Sequence, residues 1–455
     1  MEIHQILEKQ RAYFQSGITK DISFREHSLR ELRRSLRLHE DKIIDALYHD
    51  LKKSEFEVVQ GELFPVFSEI AYTLKHIRTW SKSRKANHPA FFPFSRGTVD
   101  VVPHGTSLIF SPYNHPISTS FTPLVSALAG GNCVILKPSE LVTHSAHVIE
   151  SIIKEVFSDE YVAVVQGPAE ISQGLLTLDV NHIFFTGSSA VGKSIMRTAA
   201  DKLIPVTLQL GGKCPGIIDK NVPIETTARR IAWGKYWNAG QSCNTVDHLY
   251  VHASIKKRFI QALITSIEEF YTTDPQQSPD YGRIVNERHV DRISRYLSEG
   301  TVVYGGVVDR RDHYIAPTIM DTIHTDATVL REEIFGPVLP IFEFEDIADV
   351  VKSINSKPKV LAVYIFSNCK ETTRSVMRNT DSGTACINDL MIQSTSSDMP
   401  IGGVGESGFG RLHGKNCFDA FTHTRSVLKN VAFDTPLRFP PYNTKMLLPF
   451  LKKLL

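Results

Sequence analysis

The chain has little cysteine, almost no net charge and no long apolar run, and each shortage excludes a class of protein. Six cysteines (Cys133, Cys214, Cys243, Cys369, Cys386, Cys417) stand far apart, with no C-x-x-C pair among them. That spacing excludes a disulfide scaffold and a structural zinc site, so no metal is expected, and it suits a reducing compartment. The 51 basic and 49 acidic side chains leave a formal charge of +2, so no global field recruits nucleic acid. No stretch reaches the ~18 apolar residues of a spanning helix. The opening MEIHQILEKQRAYFQSG is charged and helically spaced, without the continuous apolar core of a signal peptide. A cytoplasmic protein is the expectation. The ending NTKMLLPFLKKLL is short, apolar and basic. It is expected to dock on its own domain or a partner subunit, or to make weak contact with a membrane surface.

What remains is a globular composition at a length that suggests two or three domains. Residues 1–85 read as helices: SLRELRRSLRLHEDKIIDALYHDL places Leu29, Leu32, Leu36, Ile43, Ile44 and Leu47 at near-helical spacing. KANHPAFFPFSRG is a linker punctuated by Pro and Gly. Strand-like and helix-like segments then alternate: TSLIFSP, FTPLVSALAGG, NCVILKPS, THSAHVIESIIKEVF, YVAVVQG and VNHIFFTG. A second βα series runs from CPGIIDK to LAVYIFS. This order predicts an α/β protein with two doubly wound parallel-sheet domains, joined near residue 209, that bind ligands at the carboxyl ends of their strands.

The stretch FFTGSSAVGKSIM is ambiguous. From Gly187 to Ser194 it spells the phosphate-loop pattern G-x-x-x-x-G-K-S. A strand, a glycine turn and a helix start suit a phosphate group through backbone N–H groups and the helix dipole. Two ligands fit: a nucleoside triphosphate held by Lys193, a metal on Ser194 and an acidic partner such as Asp219, or a dinucleotide pyrophosphate. Cys243 in WNAGQSCNTVDH reads as a nucleophile or as an inert buried cysteine. Asn114 in SPYNHP reads as an oxyanion donor or a turn residue.

Taken in order, SPYNHP, LKPSE (136–140), FFTGSSAVG (184–192), QLGGK (209–213), GQSC (240–243), EEIFGP (332–337) and PIGGVGESGFGR (400–411) resemble the landmarks of the aldehyde dehydrogenase superfamily, over about residues 20–430. The short N-terminus resembles the class 3, fatty-aldehyde branch, whose members are typically dimers. The resemblance implies an NAD(P)-binding domain over 1–208 with a bridging, oligomerising hairpin near 96–106. It further implies a catalytic domain over 209–419, and a bridging strand and tail over 420–455. It implies that Cys243 attacks the aldehyde carbonyl and that Asn114, with the Cys243 N–H, holds the oxyanion. Lys137 and Glu140 would contact the adenosine ribose, and Gly187, Ser188 and Gly192 would form the pyrophosphate turn, with Gly211 alongside. Glu333 would hold the nicotinamide ribose, with Phe335 beneath it. Glu140 favours NAD over NADP, because a 2′-phosphate would meet a like charge. Lys193 becomes a solvated helix residue.

The sequence also departs from the family. Gln209 stands where the general-base glutamate is expected, and an amide takes no proton from water at neutral pH. Release of the acid should be impaired, and three explanations compete: an engineered change that traps the intermediate, a different base that serves instead (Glu332, His413 or His115), or loss of hydrolysis because the acyl group exchanges with a thiol. The last option makes the protein an acyl-thioester reductase; a retired nucleotide-binding relative is a further alternative. His115 replaces the usual aromatic after the asparagine, NTVDH replaces a small apolar pair and proline after the cysteine, and Cys214 replaces Asn or Ser. Tyr113, Trp233, Tyr236 and Trp237 either line a tunnel for an apolar aldehyde or belong to the core.

Overall fold

The computed structural model describes residues 3–87 and 95–430, with short pieces at 439–441, 448–449 and 452–453. Most of the tail NTKMLLPFLKKLL and the middle of the linker KANHPAFFPFSRG lie outside the described residues.

The N-terminal region is helical over Ile3–Gln15, Ile22–Leu38, Glu40–Leu51 and Phe64–Trp80. Asp21 caps the second helix by accepting from the Ser23 N–H at 2.8 Å, and the chain turns at His39 between the second and third. Leu29, Leu32, Leu36, Ile43 and Leu47 are fully buried in one seam, and Ile44 lies at its margin. Each such side chain stabilises the packed state by about 1.5–3 kcal/mol.

Two sheets follow. The first has six strands, in the order Gly408–Phe409, Val206–Leu210, His182–Gly187, Thr106–Phe110, Cys133–Lys137 and Val162–Val164. All its neighbours are parallel except the first pair. The second has seven, in the order Thr301–Tyr304, Thr318–Asp321, Val338–Phe344, His248–His252, Pro215–Ile218, Val360–Phe366 and Ser382–Ile387. Strands such as Cys133–Lys137 and Val360–Phe366 are buried along their whole length, which is why they read as continuous apolar runs without alternation. Among the described residues no helix is long and apolar enough to cross a membrane.

The chain leaves the first sheet at Leu210 and enters the second at Pro215, so the junction is the Gly-Gly-Lys-Cys turn. The glycine-rich segment after residue 400 returns to the first sheet, where Gly408 pairs with Gln209. At Gly408, φ is +107° and an added Cβ would stand 2.0 Å from the Leu208 carbonyl, so only glycine closes this edge. Strand Arg96–Pro103 is the centre of a three-stranded antiparallel sheet between Arg84–Ala86 and the returning strand Thr422–Lys429.

Candidate active site

Helix Ile224–Tyr236 runs into a turn in which Asn238, Ala239 and Gly240 all have positive φ (51°, 50° and 74°). Two non-glycine residues in this region cost of order 1–3 kcal/mol each, so neighbours must hold them. They do. The Asn238 N–H donates to Glu57 Oε1 at 3.0 Å, and the Asn238 amide donates to the carbonyls of Asn114 at 2.9 Å and Gln241 at 3.2 Å. Gln241 is pinned in turn by its amide to the Arg283 carbonyl at 2.8 Å and by the Val285 N–H at 3.1 Å. The turn delivers Cys243, half-buried, to a cavity of about 1080 Å³ lined by segments of both sheets.

Asn114, Gln209, Gly187, Ser188, Gly211, Glu333 and Phe335 line the same cavity. Asn114 is buried, and one amide N–H donates to the Gln241 carbonyl at 3.0 Å. Its second amide N–H remains for an oxyanion. The Gln209 amide donates weakly to the Ile401 carbonyl at 3.4 Å. Burial, and the Glu333 carboxylate next, push the Cys243 thiol up to about 12. Burial pushes the Glu333 carboxyl up to about 7, against the Gly212 N–H that favours its charge. A Cβ on Gly211 would stand 2.2 Å from Glu333 Oε2, so a side chain there would displace the carboxylate.

The loop that carries Glu333 and Phe335 is positioned by residues the sequence reading gave no role. Lys213 Nζ donates to Asp247 Oδ2 at 2.5 Å and to the Val329 and Glu332 carbonyls at 2.7 and 2.8 Å. Asp247 Oδ1 accepts the Ile334 N–H at 2.9 Å, and Arg292 donates to the Ile334 carbonyl at 2.8 Å. Lys213 lies inside the QLGGK landmark and Asp247 four residues after the cysteine, but their partnership is a tertiary fact.

The dinucleotide candidates divide. Ser188 caps helix Ser189–Ala200, accepting from the Val191 N–H at 3.4 Å, and Gly187, Ser188, Ser189 and Ala190 line the cavity at that helix start. Gly192 does not line the cavity; a Cβ there would meet Leu210 at 2.7 Å, and it serves helix–strand packing. Lys137 is buried and donates to Glu140 at 3.2 Å, and Glu140 borders a second cavity of about 560 Å³ with Thr143, Gln166 and Gly167. Backbone donors at a helix start, bare glycines and the Glu333 carboxylate on the first cavity fit the pyrophosphate and one ribose of a dinucleotide, with Glu140 on the second cavity.

The triphosphate arrangement does not form. Lys193 is exposed and pairs with Glu406 at 3.1 Å, whereas Asp219 directly follows a strand of the other sheet and accepts from the Ser367 hydroxyl at 2.6 Å. Of the substitute bases, His413 is buried against Glu69 and does not line the cavity. Glu332 lines it, but Oε2 accepts from the Tyr296 hydroxyl at 2.9 Å. Of the four aromatics, Tyr113 alone lines the cavity, edge-on to Phe335; Tyr236 is a core residue, and Trp233 and Trp237 pack edge to face on each other.

A profile of the aldehyde dehydrogenase family matches residues 1–427. The chain is similar to 4,4'-diaponeurosporen-aldehyde dehydrogenase of Staphylococcus aureus, at 39% identity over 97% of each chain. It is also similar to aldehyde dehydrogenase family 3 member B1 of Homo sapiens, at 38% identity over 97% of this chain and 95% of that one. A dimeric NADP-preferring aldehyde dehydrogenase of Canis lupus familiaris is 37% identical over 98% and 99%. Among solved structures, the substrate-bound state of Staphylococcus aureus AldH superposes with a TM-score of 0.96 at 37% identity, covering 100% of this chain and 99% of that one.

Proposed function

This chain belongs to the aldehyde dehydrogenase family, and on that premise we propose how its residues oxidise an aldehyde with NAD or NADP. Cys243 is the nucleophile. Its thiol gives up its proton to solvent, the sulfur adds to the aldehyde carbon as the thiolate, and the free Asn114 N–H and the Cys243 backbone N–H receive the oxyanion. A donor of this kind contributes about 3 kcal/mol to the barrier reduction. When bound, the nicotinamide supplies the two-electron acceptor for the hydride that leaves the Cys243 thiohemiacetal. Gly187 and Ser188 would hold the pyrophosphate, Lys137 and Glu140 the adenosine ribose, and Glu333, with Phe335 beside it, the nicotinamide ribose. Glu140, a carboxylate at the ribose, favours NAD.

Gln209 sets the slow step. Its amide orients water without deprotonating it, so hydrolysis of the Cys243 thioacyl group lags behind hydride transfer. The observation that carries the reading is that Cys243, Asn114 and Gln209 share one cavity with the Ser188 turn. The test is a rapid-mixing experiment: a burst of NAD(P)H equal to the enzyme concentration, then slow turnover, with an acyl adduct on Cys243 by intact mass. Absence of both burst and adduct overturns it. Thioester reduction and a retired binding role draw no support from the relatives, which are named as dehydrogenases.

Residues 1–208, with the N-terminal helices and most of the first sheet, form the cofactor half, and the segment 209–419, which returns Gly408–Phe409 to that sheet, the nucleophile half. The exposed outer strand Thr422–Lys429 is the proposed homodimer edge, supported by the relative named as dimeric. The six unpaired cysteines suit the cytoplasm. The expectation of an apolar aldehyde loses three of its four aromatic supports, leaving the cavity wall at His115 and Thr119 to define the substrate.

A further inference from the structure

Lys53 is a buried ammonium directly behind the oxyanion asparagine. Its Nζ meets three atoms: Glu62 Oε1 at 2.6 Å, the Asn114 carbonyl at 2.8 Å and His115 Nδ1 at 3.4 Å. An ammonium has three donors and no acceptor, so each contact uses one N–H and the ring nitrogen must accept. Glu62 Oε1 also stands 3.3 Å from that Nδ1, but a proton on Nδ1 would leave the third N–H of the buried Lys53 ammonium without an acceptor. Oε1 takes the Lys53 proton, and Oε2 takes the N–H groups of Ile117 and Ser118, at 3.1 and 2.9 Å, where helix Pro116–Gly130 begins. Burial, and Lys53 after it, lower the His115 pKa, with Glu62 pulling the other way; the neutral ring follows.

A neutral imidazole whose Nδ1 accepts carries its proton on Nε2. Among the described residues Nε2 has no hydrogen-bond partner, and it is not sealed in the protein, while His115 lines the cavity with Asn114. One turn on, the Thr119 hydroxyl donates to the His115 carbonyl at 2.6 Å, which fixes the backbone that presents the ring. We propose that Lys53 locks His115 as the Nε2–H tautomer, so that His115 donates a hydrogen bond to an acceptor oxygen of the substrate beyond the aldehyde group. His115 is thereby a recognition residue and not a base, because Nδ1 is occupied by Lys53 and the remaining nitrogen already bears a proton. Lys53 is a positioning residue, acting on His115 and on the Asn114 backbone at once. The favoured class is an aldehyde with an ether, hydroxyl or carbonyl oxygen near the reacting carbon. This inference rests on the reading of Cys243 and Asn114 as the reacting pair.

The test uses isosteric pairs that differ only by an accepting oxygen: methoxyacetaldehyde against butanal, and 3-methoxypropanal against pentanal. One neutral hydrogen bond in such a site corresponds to a preference of about tenfold in kcat/KM for the ether in at least one pair. His115→Phe brings the ratio close to one. In parallel, long-range proton–nitrogen NMR on the full-length protein labelled at histidine, with the signal identified by its loss in His115→Phe, shows an Nε2–H tautomer. Lys53→Met moves that signal toward the other tautomer or the cation. A ratio near one in the unmutated enzyme, or a ratio that survives His115→Phe, overturns the recognition role. An Nδ1–H or doubly protonated ring in the unmutated enzyme overturns the locking. If no aldehyde is oxidised at all, the proposed function fails instead, and the NMR result still decides the tautomer.

Discussion

Two turns meet at the cavity, and they are held in opposite ways. The turn at Gly187–Ser188 is built from its own neighbourhood: a buried strand, a serine cap three residues from the N–H it accepts, and a helix that follows directly. The turn at Asn238–Cys243 is strained and is held from a distance by Glu57, Asn114, Arg283 and Val285. The comparison teaches that binding a phosphate needs only regular backbone ends, whereas aiming one sulfur needs a turn that local sequence would not adopt alone.

The sharpest break comes at the strained turn. Cys243→Ala removes the nucleophile and lowers aldehyde oxidation about 10³-fold or more, with loss of the acyl adduct by intact mass. Asn114→Ala, which removes the oxyanion amide, lowers kcat about 10²- to 10³-fold in steady-state kinetics. Gln209→Glu restores a carboxylate beside the thioacyl carbon and raises steady acid formation by about 10²-fold, abolishing the burst. If acid formation does not rise, the slow step lies elsewhere.

A smaller effect tests the support of that turn. Burial raises the Glu57 carboxyl to about 7, with the Asn238 N–H opposing. A raised acid favours the folded state below its ordinary value near 4.5, and this stabilisation is lost as pH rises through about 7. This contribution to thermal stability therefore falls between about pH 4.5 and 7. Glu57→Gln flattens part of that fall, by at most about 3 kcal/mol at about 1.4 kcal/mol per pH unit, as read by denaturation across pH. Glu333, raised to about 7 by burial, contributes the same sign and remains in the variant. The smallest effect belongs to the regular turn: Lys193→Ala, which removes an exposed ion pair, changes cofactor affinity less than about twofold by titration.

Much of the fold was legible because its signals are local. Strands such as His182–Gly187 and Val360–Phe366 announce themselves by apolar runs, and the N-terminal helices by the spacing of Leu29, Leu32 and Leu36. The site residues were legible only as an ordered set of landmarks that resembles a family; singly, Cys243 and Asn114 each had a bland reading. Lys53, Glu57, Asp247 and Arg292 were not legible at all. They carry no motif, and each matters through a partner that is far away in the chain.

The sequence by itself determined the alternation of strands and helices, the glycine–serine turn after Phe185 and the amide at position 209, because these depend on residue type and near neighbours. Only the tertiary structure decided that Lys193 faces solvent with Glu406, that Asp219 follows a strand of the other sheet, and that Tyr236 is core. It alone decided that a buried Lys53 stands behind Asn114 and His115. The physical reason is the same in each case: a side chain's charge, proton and exposure are set by what packs against it, and here the packing comes from elements distant in the chain.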